Sequence, residues 1–397
     1  MNKYKPLFES FKLGKHTLSN RFVLSPMTLS LTTIDGKMTV EEANYALRRS
    51  NSAPIAITGA AYIDEFGQLF EYGYSAKDDN DIDSLKVLAS AMKANGNIAI
   101  LQLGHAGKFS QASLKKYGHL YGPSYEKNHF PVEHEVFELS HEQIKDIVKA
   151  YANATKRAIK AGFDGVEISM AQRLLIQTFF SKIVNKRSDL YGIDSFENRS
   201  RLCIEVVESI RNVIDNYAPD GFLFGFRATP EETYGTELGY TIEEFCQLID
   251  LTVQKGKIDY LAIASWGHDI YLNKVRSDCK FKGQLINKVV YNHFKNRLPI
   301  ISSGGINTPD KCLEALKNCD LVGLSSVFVA DPDFVHKIEN GEIEKINLAI
   351  KPEQLDDLAI PKDSFKGIVN MFGYCETIPE KAMITLTKNS LKNKEKE

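Results

Sequence analysis

The 397-residue sequence has no surplus of charge of either sign: 49 Lys and Arg stand against 51 Asp and Glu, a net charge of −2. A chain that neutralises nucleic-acid phosphates needs a positive surplus, so nucleic acid is not an expected partner. No stretch approaches 18 consecutive apolar residues, so no membrane span is expected. The opening Met1-Asn2-Lys3-Tyr4-Lys5-Pro6 has no apolar signal core, which argues against secretion. The six cysteines (Cys203, Cys246, Cys279, Cys312, Cys319 and Cys375) form no C-x-x-C pair. That spacing offers no metal site, neither zinc nor iron–sulfur, and free thiols point to a reducing, cytoplasmic setting. Also absent are H-E-x-x-H, G-x-S-x-G and P-loop patterns, so nothing marks a zinc peptidase, a serine hydrolase or a P-loop nucleotidase.

What is there alternates. Eight short apolar runs of strand length are separated by stretches of helical period. They are Arg21–Ser25, Ile55–Thr58, Ile98–Gln102, Gly165–Ile168, Leu223–Arg227, Tyr260–Ile263, Ile300–Ser302 and Leu321–Leu324. Most are apolar on both faces, as in a parallel sheet covered by helices. Ser140–Gln143 and Thr241–Glu244 have the spacing of capping boxes, and Thr308-Pro309 and Asp331-Pro332 each set a cap before a proline. Asn95-Gly96 and Ala161-Gly162 stand where helices should stop. Eight strand–helix units favour a closed α/β barrel, the (β/α)₈ TIM barrel, which needs roughly 250 to 400 residues. The barrel is expected over residues 1–345, with a long excursion at Phe109–Glu138 after the third strand. A C-terminal extension is expected over 346–387, and a charged, disordered tail over 388–397.

In such barrels the site lies at the C-terminal ends of the strands. Ser303-Gly304-Gly305-Ile306 after the seventh strand and Ser325-Ser326 after the eighth are small enough for backbone N–H groups to approach a phosphate. A tight loop without a ligand is the plainer alternative. Gly59, Ala60 and Ala61 leave room for a flat ring beside Gln102 and Arg227. An amide both donates and accepts at a ring edge, and a guanidinium stabilises negative charge there. Singly, a Gln or Arg at a strand end is more often structural. Glu167 on the fourth strand looks like a catalytic carboxylate, but its position points to a buried charge paired within the barrel.

Together these residues resemble the old yellow enzyme family of FMN-dependent NAD(P)H oxidoreductases. The resemblance runs from Leu7 to about His336 and is carried by Leu18–Thr28, Leu101–Lys108, Ala161–Ile168, Asn185–Gly192 and Ser195–Arg199. It implies a (β/α)₈ barrel that holds FMN non-covalently and takes hydride from NADH or NADPH. By position, Pro26, Met27 and Thr28 resemble residues along the flavin, with Thr28 near the reactive N5 and O4 edge. Ala60 resembles the small residue under the ring, and Gln102 the amide at the pyrimidine edge. Arg227 resembles the cation beside N1 and O2, and Gly304, Gly305, Ser325 and Ser326 resemble the phosphate loops.

The chain departs from the family in two places. After the fourth strand the family has two His, or His and Asn, three positions apart, and a Tyr two further on. The pair holds a substrate carbonyl and the Tyr donates a proton. Here the positions read Ser169, Gln172 and Leu174, with Arg173 beside them. Ser169 and Gln172 can donate hydrogen bonds without carrying charge; Leu174 cannot supply a proton. Thr28, Ser169, Gln172 and Arg173 are therefore the candidate catalytic set. The family's Gly-Arg after the eighth strand is replaced by Ser325-Ser326. The expected function is an FMN-dependent oxidoreductase with an atypical pocket. Its acceptor is a small molecule or a protein-bound group other than a simple enone. An FMN-binding or partner-binding barrel without turnover is the alternative, and a flavin-free aldolase or isomerase a third. The oligomer, a homo-oligomer included, is left open.

Overall fold

The computed structural model describes residues 3–265, 267–375 and 377–392. Trp266, in the loop after the sixth strand, lies outside them. The eight apolar runs form eight parallel strands: β1 (Phe22–Leu24), β2 (Ile55–Ile57), β3 (Ile98–Gly104), β4 (Gly165–Met170), β5 (Leu223–Ala228), β6 (Tyr260–Ile263), β7 (Ile300–Ser303) and β8 (Leu321–Leu324). Each pairs with the next, β8 pairs with β1, and the ring is closed. Helices fill the connections, and the fold is a TIM barrel.

Two apolar clusters account for the two-sided burial of the strands. Along each strand successive side chains point in opposite directions. Val23, Ile55, Ile57, Ile100, Leu223, Ile301 and Leu321 point into the barrel and form its inner core. Phe22, Ala56, Leu101, Phe224, Ile300 and Val322 belong to the outer core between strands and helices. The inner core is closed at the N-terminal end by an antiparallel hairpin, Phe11–Leu13 with His16–Leu18, which contributes Leu13 and Leu18. Its turn needs Gly14, whose φ is +55°.

The helix signals behave as their chemistry requires. Gln143 N–H donates to Ser140 Oγ at 3.2 Å, and Ser140 N–H to Gln143 Oε1 at 2.8 Å, opening the helix His141–Ala161. Thr241 and Glu244 form the same reciprocal pair at Ile242–Gly256. Gly162 ends the first of these with φ +85°, a left-handed conformation suited to glycine. One signal misleads. The helix near Asp331-Pro332 starts only at Phe334, because the Asp331 carboxylate instead receives Lys337 Nζ at 2.7 Å and Asn347 N–H at 3.1 Å.

The excursion after β3 is ordered. It holds a short helix, Gln111–Tyr117, and a three-stranded sheet of His119–Gly122, His134–Glu138 and Glu126–Asn128. The C-terminal extension folds into two helices, Phe365–Cys375 and Glu380–Lys392, and buries Phe365, Phe372 and Leu386. The expected disorder from Lys388 is corrected as far as Lys392. That stretch is helical, and Asn389 Nδ2 donates to Ile350 O at 2.7 Å. Residues 393–397 lie outside the described residues.

Candidate active site

Continuing the inward alternation past the inner core leads from apolar to polar side chains. Ile100 is followed by Gln102, Leu223 by Gly225 and Arg227, Val23 by Ser25, Ile301 by Ser303, and Gly165 by Glu167 and Ser169. The strand register sets Glu167 beside Gln102 on one side and Gly225 on the other, and Ser169 beside Arg227. Gln102 Nε2 donates to Glu167 Oε1 at 2.7 Å, and Gln102 N–H donates to Thr58 Oγ1 at 3.0 Å. Glu167 has no exposed surface. Burial pushes its carboxyl above the usual range, opposed by the Arg227 guanidinium and by the hydrogen bond from Gln102. Tyr260 fills the space that Gly225 leaves; a Cβ at 225 would run into its ring. An ionised carboxylate, the form that the Arg227 guanidinium favours here, only accepts hydrogen bonds. The Gln102 nitrogen is thereby committed downward, and its carbonyl oxygen is left for a partner at the mouth.

The first two strand ends form a close-fitting wall. A Cβ at Gly59 would stand 2.6 Å from Thr28 Oγ1 and 2.8 Å from Met27 O, so only glycine lets the β1 loop lie against the end of β2. Pro26, Met27, Thr28 and Ala60 are all half-buried there. At the far side, Gly304 and Gly305 both have left-handed φ, +91° and +82°. A Cβ at Gly304 would lie 2.7 Å from Ile270 Cβ, and one at Gly305 2.6 Å from Asp269 Cα. The loop after β6 thus presses the turn into place. Lys311 Nζ reaches Asp269 Oδ1 at 2.7 Å and Gly305 O at 3.2 Å, bringing a cation to a turn where the sequence shows none. Ser325 is half-buried beside it, while Ser326 is fully buried. Among the described residues, the Ser326 and Ser25 hydroxyls have no hydrogen-bond partner.

The turn after β4 is strained. Gln172 and Arg173 are both left-handed, φ +56° and +63°, which for non-glycine residues costs roughly 1–2 kcal/mol each. Gln172 N–H donates to Thr229 Oγ1 at 3.1 Å and Arg173 N–H to Gln177 Oε1 at 2.7 Å, and these bonds hold the turn. Ser169 is 4% exposed and Leu174 8%, with Leu174 packed towards Gly104. Arg173 is not a free surface residue. Its Nε lies 3.7 Å from Glu232 Oε1 and its guanidinium 5.3 Å from the Tyr234 ring centre. These partners come from a hairpin, Glu232–Tyr234 with Glu237–Tyr240, that sequence reasoning missed. Its signal was present as Gly235 between Tyr234 and Thr236. His105, in the β3 motif, is structural: its Nδ1 accepts from Gly107 N–H at 2.9 Å and its Nε2 lies 3.2 Å from Asp64 Oδ1.

A family model described as the NADH:flavin oxidoreductase / NADH oxidase family matches residues 6–345. The chain belongs to this family. It is 53% identical over 381 residues to an uncharacterized oxidoreductase of Streptococcus pyogenes serotype M5 (strain Manfredo), covering 96% of each chain. It is 32% identical over 383 residues to the probable NADH-dependent flavin oxidoreductase YqiG of Bacillus subtilis (strain 168), covering 94% of this chain and 98% of that one. Among solved structures, the old yellow enzyme from Pichia sp. AKU4542 superposes with a TM-score of 0.71 at 26% identity, covering 85% of this chain and 87% of that one. A 2-naphthoyl-CoA reductase complex superposes at 0.75 and 24% identity, which speaks for the fold alone; the chain spans about half of that longer chain, 53%.

As an NADH:flavin oxidoreductase family member, the protein is an FMN-dependent oxidoreductase whose relatives use NADH or NADPH. The chemistry of the residues present fits that cofactor: small residues at Gly59 and Ala60, an amide at Gln102 bonded to Glu167, a cation at Arg227, left-handed φ at Gly304 and Gly305, and a buried Ser326 hydroxyl that has no partner among the described residues. No described helix is long and apolar enough to cross a membrane.

Proposed function

We propose that the barrel mouth holds FMN and that the chain passes hydride from NADH or NADPH to an acceptor bound over Ser169 and Gln172. Pro26, Met27, Thr28 and Ala60 would line the ring, Gln102 would meet its pyrimidine edge, and Arg227 would supply a cation where negative charge gathers on reduction. Gly304, Gly305, Ser325 and Ser326 surround the phosphate. When bound, FMN supplies the two-electron chemistry, accepting hydride from the nicotinamide and giving it to the acceptor. The observation that supports this reading is the Gln102–Glu167 bond at 2.7 Å, which commits the amide nitrogen and leaves its oxygen for a partner, with Arg227 opposite Ser169 on the neighbouring strand.

The acceptor side is set by what the β4 turn offers. Ser169 and Gln172 supply neutral donors, each roughly 1 kcal/mol weaker than a charged one. Leu174 supplies no proton, and losing general-acid help costs ~10²–10⁴ in rate. Cofactor reduction needs only orientation of the nicotinamide, so that half survives; reduction of simple enones is slow.

Stopped flow separates the halves. Fast bleaching of FMN by NADH or NADPH, followed by slow reoxidation by cyclohexenone compared with a quinone, is the expected result. The joint change Ser169→His, Gln172→His and Leu174→Tyr should raise the enone rate more than any single change. Rapid enone turnover by the unmodified protein would overturn the account of the pocket. No NADH oxidation above that of free FMN would favour a flavin-binding barrel without turnover, the reading that the absent proton donor at Leu174 supports.

A further inference from the structure

A cavity of about 220 Å³ lies between the β4 turn, the β5 hairpin and the loop after β6. Three cationic side chains line it: Arg173, Lys274 and Arg276. Two carboxylates line it as well, but both are engaged. Glu231 Oε1 accepts Arg276 N–H at 2.8 Å, and its Oε2 accepts Ser277 N–H at 2.9 Å and Ser277 Oγ at 2.6 Å. These donors hold the Glu231 side chain in the β6 loop and stabilise its charge, so the lining sets three cations against two carboxylates. Glu232 is buried against the hairpin's Gly239, with Arg173 its cationic neighbour at 3.7 Å. Burial pushes the Glu232 carboxyl up, towards its neutral form. Lys274 and Arg276 are exposed, and among the described residues neither side chain has a carboxylate partner. The cavity therefore presents a positive surplus next to Gln172, in a chain whose net charge is only −2.

We infer that this cavity seats an anionic group, a carboxylate or a phosphate, of a molecule that reacts at the barrel mouth, with Arg173 at its inner end and Lys274 and Arg276 at its rim. The inference rests on the proposed function, since it places the seat beside the acceptor donors Ser169 and Gln172. Two reactants carry such a group: an acceptor bearing a carboxylate, or the nicotinamide dinucleotide through its phosphates. Either way the seat selects by charge.

The test uses the FMN-loaded protein and titration calorimetry with crotonate and its uncharged counterpart crotonamide, then with NAD⁺ and NADP⁺. The variants are Lys274→Gln with Arg276→Gln, and as a charge-keeping control Lys274→Arg with Arg276→Lys. Both sites are exposed, so folding is not at stake, and retained flavin absorbance verifies it. For a carboxylate acceptor, crotonate binds about tenfold more tightly than crotonamide, the double Gln variant erases the difference, and the control keeps it. Raising ionic strength weakens crotonate and leaves crotonamide unchanged. For the dinucleotide source, crotonate and crotonamide bind alike, while the double Gln variant weakens NAD⁺ or NADP⁺ about tenfold. An anion seat is overturned if the double Gln variant changes neither. Failure of the proposed function reads differently: NADH and NADPH leave FMN oxidised in the unmodified protein, whatever the calorimetry shows.

Discussion

Replacing Glu167 by Gln changes one charge and almost no volume, and it tests the polar layer beneath the ring. Glu167 points inward one step below Ser169, and residues on a strand rise about 3.3 Å each. Its carboxylate therefore lies roughly 7 Å under a ring at the mouth. At an effective dielectric of about 20, one charge at that distance is worth about 2 kcal/mol. For a two-electron couple this is about 45 mV. The carboxylate opposes Arg227, and reduction adds negative charge near both, so its removal should raise the FMN potential by that amount. Burial holds the Glu167 carboxyl above its usual range. As pH falls through that raised value the wild-type group becomes neutral too, so the gap between variant and wild type should close on the acid side. Spectroelectrochemistry across pH reads both effects. FMN affinity should also drop by about tenfold, because a Gln at 167 no longer dictates which end of the Gln102 amide faces upward. An unchanged or lowered potential with FMN still bound would refute the placement of Glu167 under the ring.

The companion change, Arg227→Met, should move the potential the other way, downward by some tens of mV (about 1–4 kcal/mol of lost attraction), and the same cell measures it. Ser326→Ala removes a buried hydroxyl that has no partner within the described residues; FMN affinity in a fluorescence titration should fall about tenfold, and an unchanged value would take the phosphate away from Ser326. Glu42 is buried under Tyr74, whose hydroxyl donates to it, and burial pushes its carboxyl from 4.5 up to about 7. Between those values the folded chain keeps a proton that the unfolded chain has lost, so stability should fall as pH rises from 4.5 to 7 and level off above, by about 3 kcal/mol at most. Urea denaturation at several pH values should show this slope in the wild type and its loss in Glu42→Gln; equal slopes would contradict it.

The sequence by itself determined the barrel. Strand-length apolar runs recur eight times with helix caps between them, and both are local signals: alternation over a few residues, and a side chain reaching a backbone N–H three residues on. The observed strands keep to within a few residues of those runs because such signals act between residues close in the chain. The resemblance also named the residues at the mouth, since each sits at a fixed offset after its strand.

Tertiary structure alone decided what those residues do to one another. That Glu167 orients Gln102 depends on the register between β3 and β4, two strands more than 60 residues apart, which no local pattern encodes. That Gly59 and Gly304 are obligatory depends on loops from other strands pressing on them. Arg173 stands in the sequence only as a cation beside Gln172; its partners, Glu232 and Tyr234, arrive from a hairpin after the next strand. The charged end of the chain reads as disordered because its apolar residues are few. Ser390 is nonetheless buried there and Asn389 donates to Ile350 O, because the helix Glu380–Lys392 packs against the preceding helix Phe365–Cys375. Local physics writes the elements; burial and charge, which sum over the whole chain, decide their partners.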